Sequence, residues 1–585
     1  LEEYTSGYLP ERQATVQRWP AELLLWRGTR EHIAGAVGSL ADAVAGGADV
    51  SLADLSLTLA LQAPPPGEDL ATLALVAESI DDLRGKLEQA RRVLADDAQR
   101  QGGEQGVYWA QSPLVGPGTV AFLFPGQGSQ TIDMGRELLL AFPEARAPFE
   151  LADRILADRY PQPLSRYVFP PPSFAEAEKR RRQIELTDTH VAQPALGATE
   201  LGYLAVLAML GIAPDAVAGH SYGEFVALVA AGALDHEQLL TLSEARGRFM
   251  HEAAGGEAGA MAAVHAAPEA LAPLLEDGGV VAANLNAPRQ TVISGPRPRV
   301  QAALAWCREH DVQARELPVG CAFHSPHVAG AQRRLAAALR RTALAAPRIP
   351  VYSNTTGAAY PSEPVGIAKL LGRHLVEPVQ FVAEIESMYE AGVRVFVEVG
   401  PRSVLTGLTE SILGDCEHLA VAVDRPGRTG LLSLLHCLAA LAAAGVAFYP
   451  ERLLGGRHAA ALDLDRLAGT PPPARGRWTV DGSSARPTDA PIPPSLRNGT
   501  PSQEKHTVTS TTTNGSGAPV SAAIANGHSG SLEPRGAHEA TVSPAAPPGD
   551  GVGEVMAHYA RVMQQFLETE RDVMLGYLGA PRPPA

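Results

Sequence analysis

The sequence predicts an α/β protein whose main sheet is mostly parallel. Three observations carry that expectation. Apolar, strand-like runs alternate with helix-spaced segments through the middle of the chain. Two of those runs, in GTVAFLFPGQGSQ (118–130) and PDAVAGHSYGEFVALVAAGAL (214–234), end in glycine-containing turns, and a third, VRVFVEVGP (393–401), ends in Gly-Pro. A separate βαββαβ rhythm interrupts the series at 260–318.

The elements are justified in chain order. Residues 1–116 hold two strand-then-helix passages: AELLLW (21–26) before TREHIAGAVGSLADAVAGG (29–47), and LATLALVAES (70–79) before IDDLRGKLEQARRVLADD (80–97). They form a small α/β module without obvious chemistry. Residues 117–450 form the main α/β domain. Within it, AMAAV, VVAANLN, QTVISG and VQARELPV read as strands, and PEALAPLLE and PRVQAALAWCREH as helices, which is the order of a ferredoxin-like insert over about 260–318. Residues 451–550 trail the domain. From about 469 they turn rich in Pro, Gly, Ser and Thr and bury too little apolar surface to offset ordering entropy, so a disordered linker is expected. Residues 551–585 regain helical apolar spacing, with Val552, Val555, Met556, Tyr559, Met563 and Phe566 near one face. A helix of that length is marginal alone in water, so it reads as a docking or dimerisation helix.

Composition narrows the function. The chain has 585 residues, room for about three to five units. It begins LEEYTSGYLP, without an initiator Met, and reads as a piece of a larger polypeptide. A net charge of −16 argues against a nucleic-acid partner. Cys307, Cys321, Cys416 and Cys437 are widely spaced and give no CxxC pair or disulfide framework, which fits a reducing, cytoplasmic setting. No secretory h-region opens the chain, and the most apolar run, LGYLAVLAMLGIAP (201–214), is too short for a membrane span, so no membrane partner is expected.

The chemistry centres on GHSYGE (219–224). Gly219-x-Ser221-x-Gly223 follows an apolar strand and opens a helix, the context of a nucleophile elbow on an α/β-hydrolase-like core. The helix N-terminus places backbone N–H groups near the serine oxygen. The competing reading is a tight turn with a capping serine. FPGQGSQ (124–130) lacks the lysine of a phosphate-binding loop, which argues against a nucleotide. The basic run KRRR (179–182) and Arg248 read as solvated charge.

With these motifs stand THVAQPAL (189–196), EARGRFM (244–250), AFHSPH (322–327), YSNTTG (352–357), HLVEPVQF (374–381) and FVEVGP (396–401). In this order they make residues of about 118–450 resemble the acyltransferases of polyketide and fatty-acid synthases, the malonyl-transferase type. Residues 1–116 more weakly resemble the linker between a ketosynthase and such an acyltransferase; the linker at 469–550 has no counterpart. The resemblance implies Ser221 as nucleophile and His324 as its base, a pair that needs no carboxylate. His327 is the alternative base, and His220 a structural or pocket-lining group. Gln127 and the Tyr222 backbone N–H are implied at the oxyanion site, and Arg246 as the two-pronged partner of a malonyl carboxylate. Phe323 is implied beside the C2 substituent, where bulk favours malonyl over methylmalonyl. Tyr222 replaces the common aliphatic residue after the serine, and Cys321 stands where the malonyl pattern has His. Gln193, Asn286 and Asn354 lie in or near these motifs, either as buried amides that hold the backbone in place or as substrate contacts.

The implied reaction is ping-pong transfer of malonyl from malonyl-CoA to the phosphopantetheine thiol of an acyl carrier protein, with no metal and no tightly bound cofactor. The implied partners are that carrier, a ketosynthase and other domains of the same synthase, in a homodimer. A serine hydrolase, a methylmalonyl-selective transferase and a non-enzymatic docking platform are the alternatives. The hydrolase would want an acidic residue between Ser221 and His324, and would have no use for Arg246.

Overall fold

The computed structural model describes residues 14–469, apart from 97–99, 102, 104, 115–118, 254–258, 318 and 320, together with a strand pair, Trp478–Val480 with Ala485–Pro487. The rest of the expected linker and the segment 551–585 lie outside the described residues.

The first module is built on β1 (Glu22–Gly28), β2 (Ala71–Ala77), β3 (Arg100–Gln101) and β4 (Val107–Ala110), in the antiparallel order β1-β2-β4-β3. The helices Arg30–Ala45 and Ile80–Ala95 start where Thr29 and Ser79 accept the N–H of His32 and Asp82, the first-turn donors that a helix cannot satisfy itself. Three elements go beyond the sequence expectation. The helix Leu52–Gln62 is capped by Ser51, and β3 and β4 complete the sheet. The leucine-rich helix has short, closely spaced apolar positions that strand and helix periods both fit, so pattern alone does not separate them. The segment after the main domain also returns to this module. Arg457 forms a buried ion pair with Glu22, the Ala460 N–H donates to Asp54 Oδ1 at 2.7 Å, and Leu467 joins the module's core.

The larger domain opens with β5 (Val120–Phe124) and β6 (Ala216–Gly219). It passes through β7 (Gly259–Val264), β8 (Val281–Ala287), β9 (Gln290–Pro296) and β10 (Ala314–Glu316), then a ribbon of β11 (Tyr352–Ser353) and β12 (Ala358–Ala359), and ends with β13 (Val395–Glu398) and β14 (Leu419–Ala422). The main sheet has the order β14-β13-β5-β6 with every pair parallel. Its strands are apolar on both faces because helices cover both. The insert forms its own antiparallel sheet, β10-β7-β9-β8, with helices Ala272–Glu276 and Arg297–Glu309. β8 reaches back to the main domain, where Leu285 N–H donates to Val379 O and Val379 N–H to Ala283 O, each at 2.8 Å. The apolar run expected as a buried helix lies largely in Thr189–Met209, which is buried at every residue from Val191 to Tyr203 and again at Val206 and Leu207.

Candidate active site

β6 stops at Gly219 and the next helix begins at Gly223, leaving His220, Ser221 and Tyr222 to make the turn. Ser221 takes a φ of 53°, a left-handed conformation that a non-glycine residue holds only when its surroundings enforce it. The enforcement is visible. A Cβ on Gly219 would lie 2.0 Å from the Gly223 carbonyl carbon, and one on Gly223 would lie 2.0 Å from the Phe124 oxygen, so the turn closes only with glycine at both places. Asn354, 1% exposed, clamps it further. Its Oδ1 accepts the Ser221 N–H, and its Nδ2 donates to Gly219 O at 2.7 Å and to Glu384 Oε2 at 2.6 Å.

Ser221 Oγ lies 2.8 Å from His324 Nε2. His324, also at a φ of 53°, turns its Nδ1 toward two backbone carbonyls, His374 O at 2.9 Å and Glu377 O at 3.0 Å. Carbonyl oxygens only accept, so Nδ1 carries the proton and Nε2 offers its lone pair to the serine. Burial, reinforced by the Arg246 charge, pushes the imidazole pKa down to about 3. The ring is therefore a neutral acceptor at physiological pH.

β5 pairs with β6 so that Phe124 lies opposite Gly219. Gln127 and Tyr222 each follow three residues after their strand's end, and the two loops run together. Neither the Gln127 N–H nor the Tyr222 N–H has an acceptor among the described residues. The Gln127 side chain points elsewhere: its Nε2 donates to Thr189 Oγ1 at 3.1 Å, and Gln193 Nε2 approaches its Oε1 at 3.4 Å.

Arg246, on the helix His236–Ala253, is 1% exposed. Its Nη2 donates to His374 Nε2 at 2.9 Å, and its guanidinium carbon stands 6.0 Å from the Tyr222 ring and 5.7 Å from the Phe225 ring. Its Nε has no partner, and among the described residues no carboxylate forms an ion pair with it. Burial lowers its pKa to about 10, which leaves it charged at neutral pH. A buried cation without a counter-ion is costly, and an anionic ligand offsets that cost. The His374 and His324 rings are 6.1 Å apart, so cation and Ser-His pair belong to one site.

The family model for the acyl transferase domain matches residues 121–436, more than half of the chain and all of this site. This chain belongs to the acyl transferase domain family. The acyltransferase is 38% identical over 310 residues to the malonyl CoA-acyl carrier protein transacylase of Bacillus subtilis, covering 52% of this chain and 93% of that enzyme. It is 34% identical over 386 residues to a type I polyketide synthase of phenolphthiocerol synthesis from Mycobacterium marinum, covering 66% of this chain but only 17% of that synthase. The solved acyltransferase domain of an iterative polyketide synthase in enediyne biosynthesis superposes with a TM-score of 0.56 at 28% identity, covering 73% of this chain and 97% of that domain.

The remaining residues singled out in the acyltransferase sequence divide into groups. His220 turns away from Ser221: its Nε2 meets Asn286 Oδ1 at 2.8 Å, tying the elbow to β8 of the insert. Gln193 is fully buried beside Gln127 and Met250. Phe323 and Cys321 are buried on the loop that carries His324, and burial pushes the Cys321 thiol up to about 11. His327 is exposed and has no contact with the serine. Arg248 pairs with Glu244 at 2.9 Å, and Arg181 and Arg182 pair with Glu178. Tyr222 is fully buried, its hydroxyl 2.7 Å from Ser243 Oγ. Sequence reasoning did not single out His374 or Glu224. Both stand inside quoted motifs, HLVEPVQF and GHSYGE, and that position was the one available clue. The structure packs Glu224 against Asn354 N–H at 2.9 Å and Tyr360 Oη at 3.0 Å, and burial pushes its pKa up to about 7.

Proposed function

We propose that this acyltransferase loads malonyl from malonyl-CoA onto the phosphopantetheine thiol of an acyl carrier protein in a polyketide synthase. The observation that carries the reading is Arg246, a buried cation with an unpartnered Nε beside a preassembled Ser-His pair. A guanidinium suits a carboxylate in both charge and geometry. Acetyl and other simple acyl groups give it nothing to bind. The Bacillus subtilis relative is named for malonyl transfer, and the type I synthase relative supports a multidomain setting.

Ser221 Oγ attacks the thioester carbonyl as His324 Nε2 takes its proton. The Tyr222 and Gln127 backbone N–H groups receive the developing oxyanion. Collapse expels the CoA thiolate, which takes the proton from His324 and leaves malonyl as an ester on Ser221. The carrier thiol then attacks that ester with His324 again as base, and the serine regains its proton. Phe323, buried on the His324 loop, limits space at C2. Gln193 and Asn286 support the pocket through Gln127 and His220. The carrier, a ketosynthase and the further domains belong to the same synthase, which works as a homodimer in the cytoplasm.

Labelled malonyl-CoA, methylmalonyl-CoA and acetyl-CoA, each followed by intact-protein mass, test the reading. Malonyl should be the favoured ester, and Ser221→Ala should carry none. A malonyl mass increment retained on Ser221→Ala, or acetyl preferred to malonyl, overturns it. Preference for methylmalonyl would overturn the part assigned to Phe323.

A further inference from the structure

Arg246 and His324 meet at one residue, His374. Its backbone oxygen receives the His324 Nδ1–H at 2.9 Å, its Nε2 receives Arg246 Nη2 at 2.9 Å, and its own Nδ1 lies 2.9 Å from Leu371 O. A carbonyl facing Nδ1 and a guanidinium donor facing Nε2 permit a single arrangement, the neutral ring protonated at Nδ1. The ring is 1% exposed and stands edge-on to Phe225, centroids 5.6 Å apart. The ionisable groups around it are Arg246, His324 and Glu224, whose Oε2 is 3.9 Å from Nδ1.

The structure assigns His374 as a positioning residue for acyl selection: a neutral acceptor that pins the Arg246 fork without cancelling its charge. Three kinds of side chain could stand there, with different consequences. An Asp or Glu would pin the fork but neutralise it, leaving little attraction for a substrate carboxylate. An apolar group would leave a guanidinium N–H unpaired in a buried site and the fork free to turn. A neutral imidazole in a fixed tautomer holds one N–H and leaves the positive charge, and the unpartnered Nε, for the ligand. The same residue fixes His324 through its carbonyl, so the cation and the base are referenced to one point of the backbone.

This inference rests on the reading of Arg246 as the carboxylate's partner, and its test separates the two. Rates of malonyl and acetyl loading onto Ser221 are measured by intact mass on the full chain for wild type, Arg246→Ala, His374→Leu, both together, His374→Gln and His374→Asp. The readout is the malonyl-to-acetyl ratio, because a general structural lesion lowers both rates alike. His374→Leu should lower the ratio by about tenfold, the worth of a hydrogen bond to a charged group, and should lower it no further on the Arg246→Ala background. His374→Gln, whose amide can accept from Arg246 and donate to Leu371 O, should keep most of the ratio. His374→Asp should fall to the Arg246→Ala ratio. A fall in Arg246→Ala with none in His374→Leu overturns this inference alone. An unchanged ratio in Arg246→Ala overturns the carboxylate reading and the inference with it. If His374→Leu does not fold, equal ratios for the Gln and Asp variants overturn the inference.

Discussion

The tyrosine after the nucleophile occupies space that one glycine provides, and that pairing can be measured. Gly197 lies inside the helix Thr189–Met209, and a Cβ built there would stand 2.3 Å from Tyr222 Oη but 3.6 Å from Cζ and 3.7 Å from Leu239 Cδ2. Tyr222 is fully buried, its ring lies against Arg246, and its hydroxyl is held by Ser243, so it cannot simply swing away. Gly197→Ala therefore overpacks the core by about 1–3 kcal/mol, partly offset by about 1 kcal/mol of helix propensity. Tyr222→Phe alone loses a hydrogen bond, about 0.5–1.5 kcal/mol, because Ser243 Oγ still donates to Leu239 O at 2.6 Å. With phenylalanine at 222 the atom that clashes is gone, and the new methyl meets its neighbours at ordinary contact distance. Alanine at 197 should then be neutral or stabilising by about 1 kcal/mol. The coupling energy between the two sites is thus about 1–3 kcal/mol, read from urea unfolding of the four proteins by circular dichroism. Additivity within about 0.5 kcal/mol would refute the claim that Gly197 is there to admit the tyrosine hydroxyl.

Other expected outcomes follow from the same geometry. His324→Ala should slow malonyl loading by about 10²–10⁴, while exposed His327→Ala leaves the rate near wild type; the reverse order in stopped assays would move the base to His327. Because burial pushes the His324 pKa from 6.5 to about 3, loading should not lose its base between pH 7 and pH 5, whereas an ordinary imidazole would show a limb near 6.5. The same depression has a cost for stability: the folded state takes up fewer protons, so this contribution is complete above pH 6.5 and is lost as pH falls from 6.5 toward 3, which acid titration of the unfolding midpoint reads. Asn354→Leu removes the acceptor of the Ser221 N–H and a donor to Glu384, and should destabilise the protein by about 2 kcal/mol or more in urea while slowing loading; a stable, fully active variant would contradict the clamp.

Much of the architecture was legible because parallel strands in a covered sheet are continuous apolar runs. VAFLF, AVAG and VFVE in β5, β6 and β13 are of that kind, each followed by a glycine-bearing turn. The βαββαβ order of the insert was legible for a similar reason: its strands and helices alternate at short, distinct intervals. Strand order was not, because pairing β13 with β5 across 275 residues (Val395 opposite Val120) leaves no local trace. Nor was the return of Arg457 and Leu467 to the first module, since an ion pair between Glu22 and Arg457 links positions whose neighbours in sequence say nothing of each other.

Within the site, the legible groups are those whose chemistry depends on side-chain identity. Ser221, His324 and Arg246 are named by their residue types and motif context, and the structure brings Ser221 to His324 and places Arg246 near both. The partners that tune them are of another kind. The base is oriented by the carbonyls of His374 and Glu377, and any residue supplies a carbonyl, so no letter of the sequence marks that role. Charge state is hidden in the same way. Glu224 and Glu384 are written as acids, but burial pushes Glu224 up to about 7 and Glu384 well above the usual carboxylate range. Each therefore spends less time as an anion than its letter implies, and of the two Glu224 is the one that acts on Arg246. His324 and His374 are likewise held neutral, both by burial first and the Arg246 charge second. The effect is that the positive charge of Arg246 is only partly offset by Glu224 and is not diluted by protonated imidazoles, so much of it is left to select a carboxylate. Sequence supplies the cation; the packing decides how much of its charge the neighbouring groups leave for a ligand.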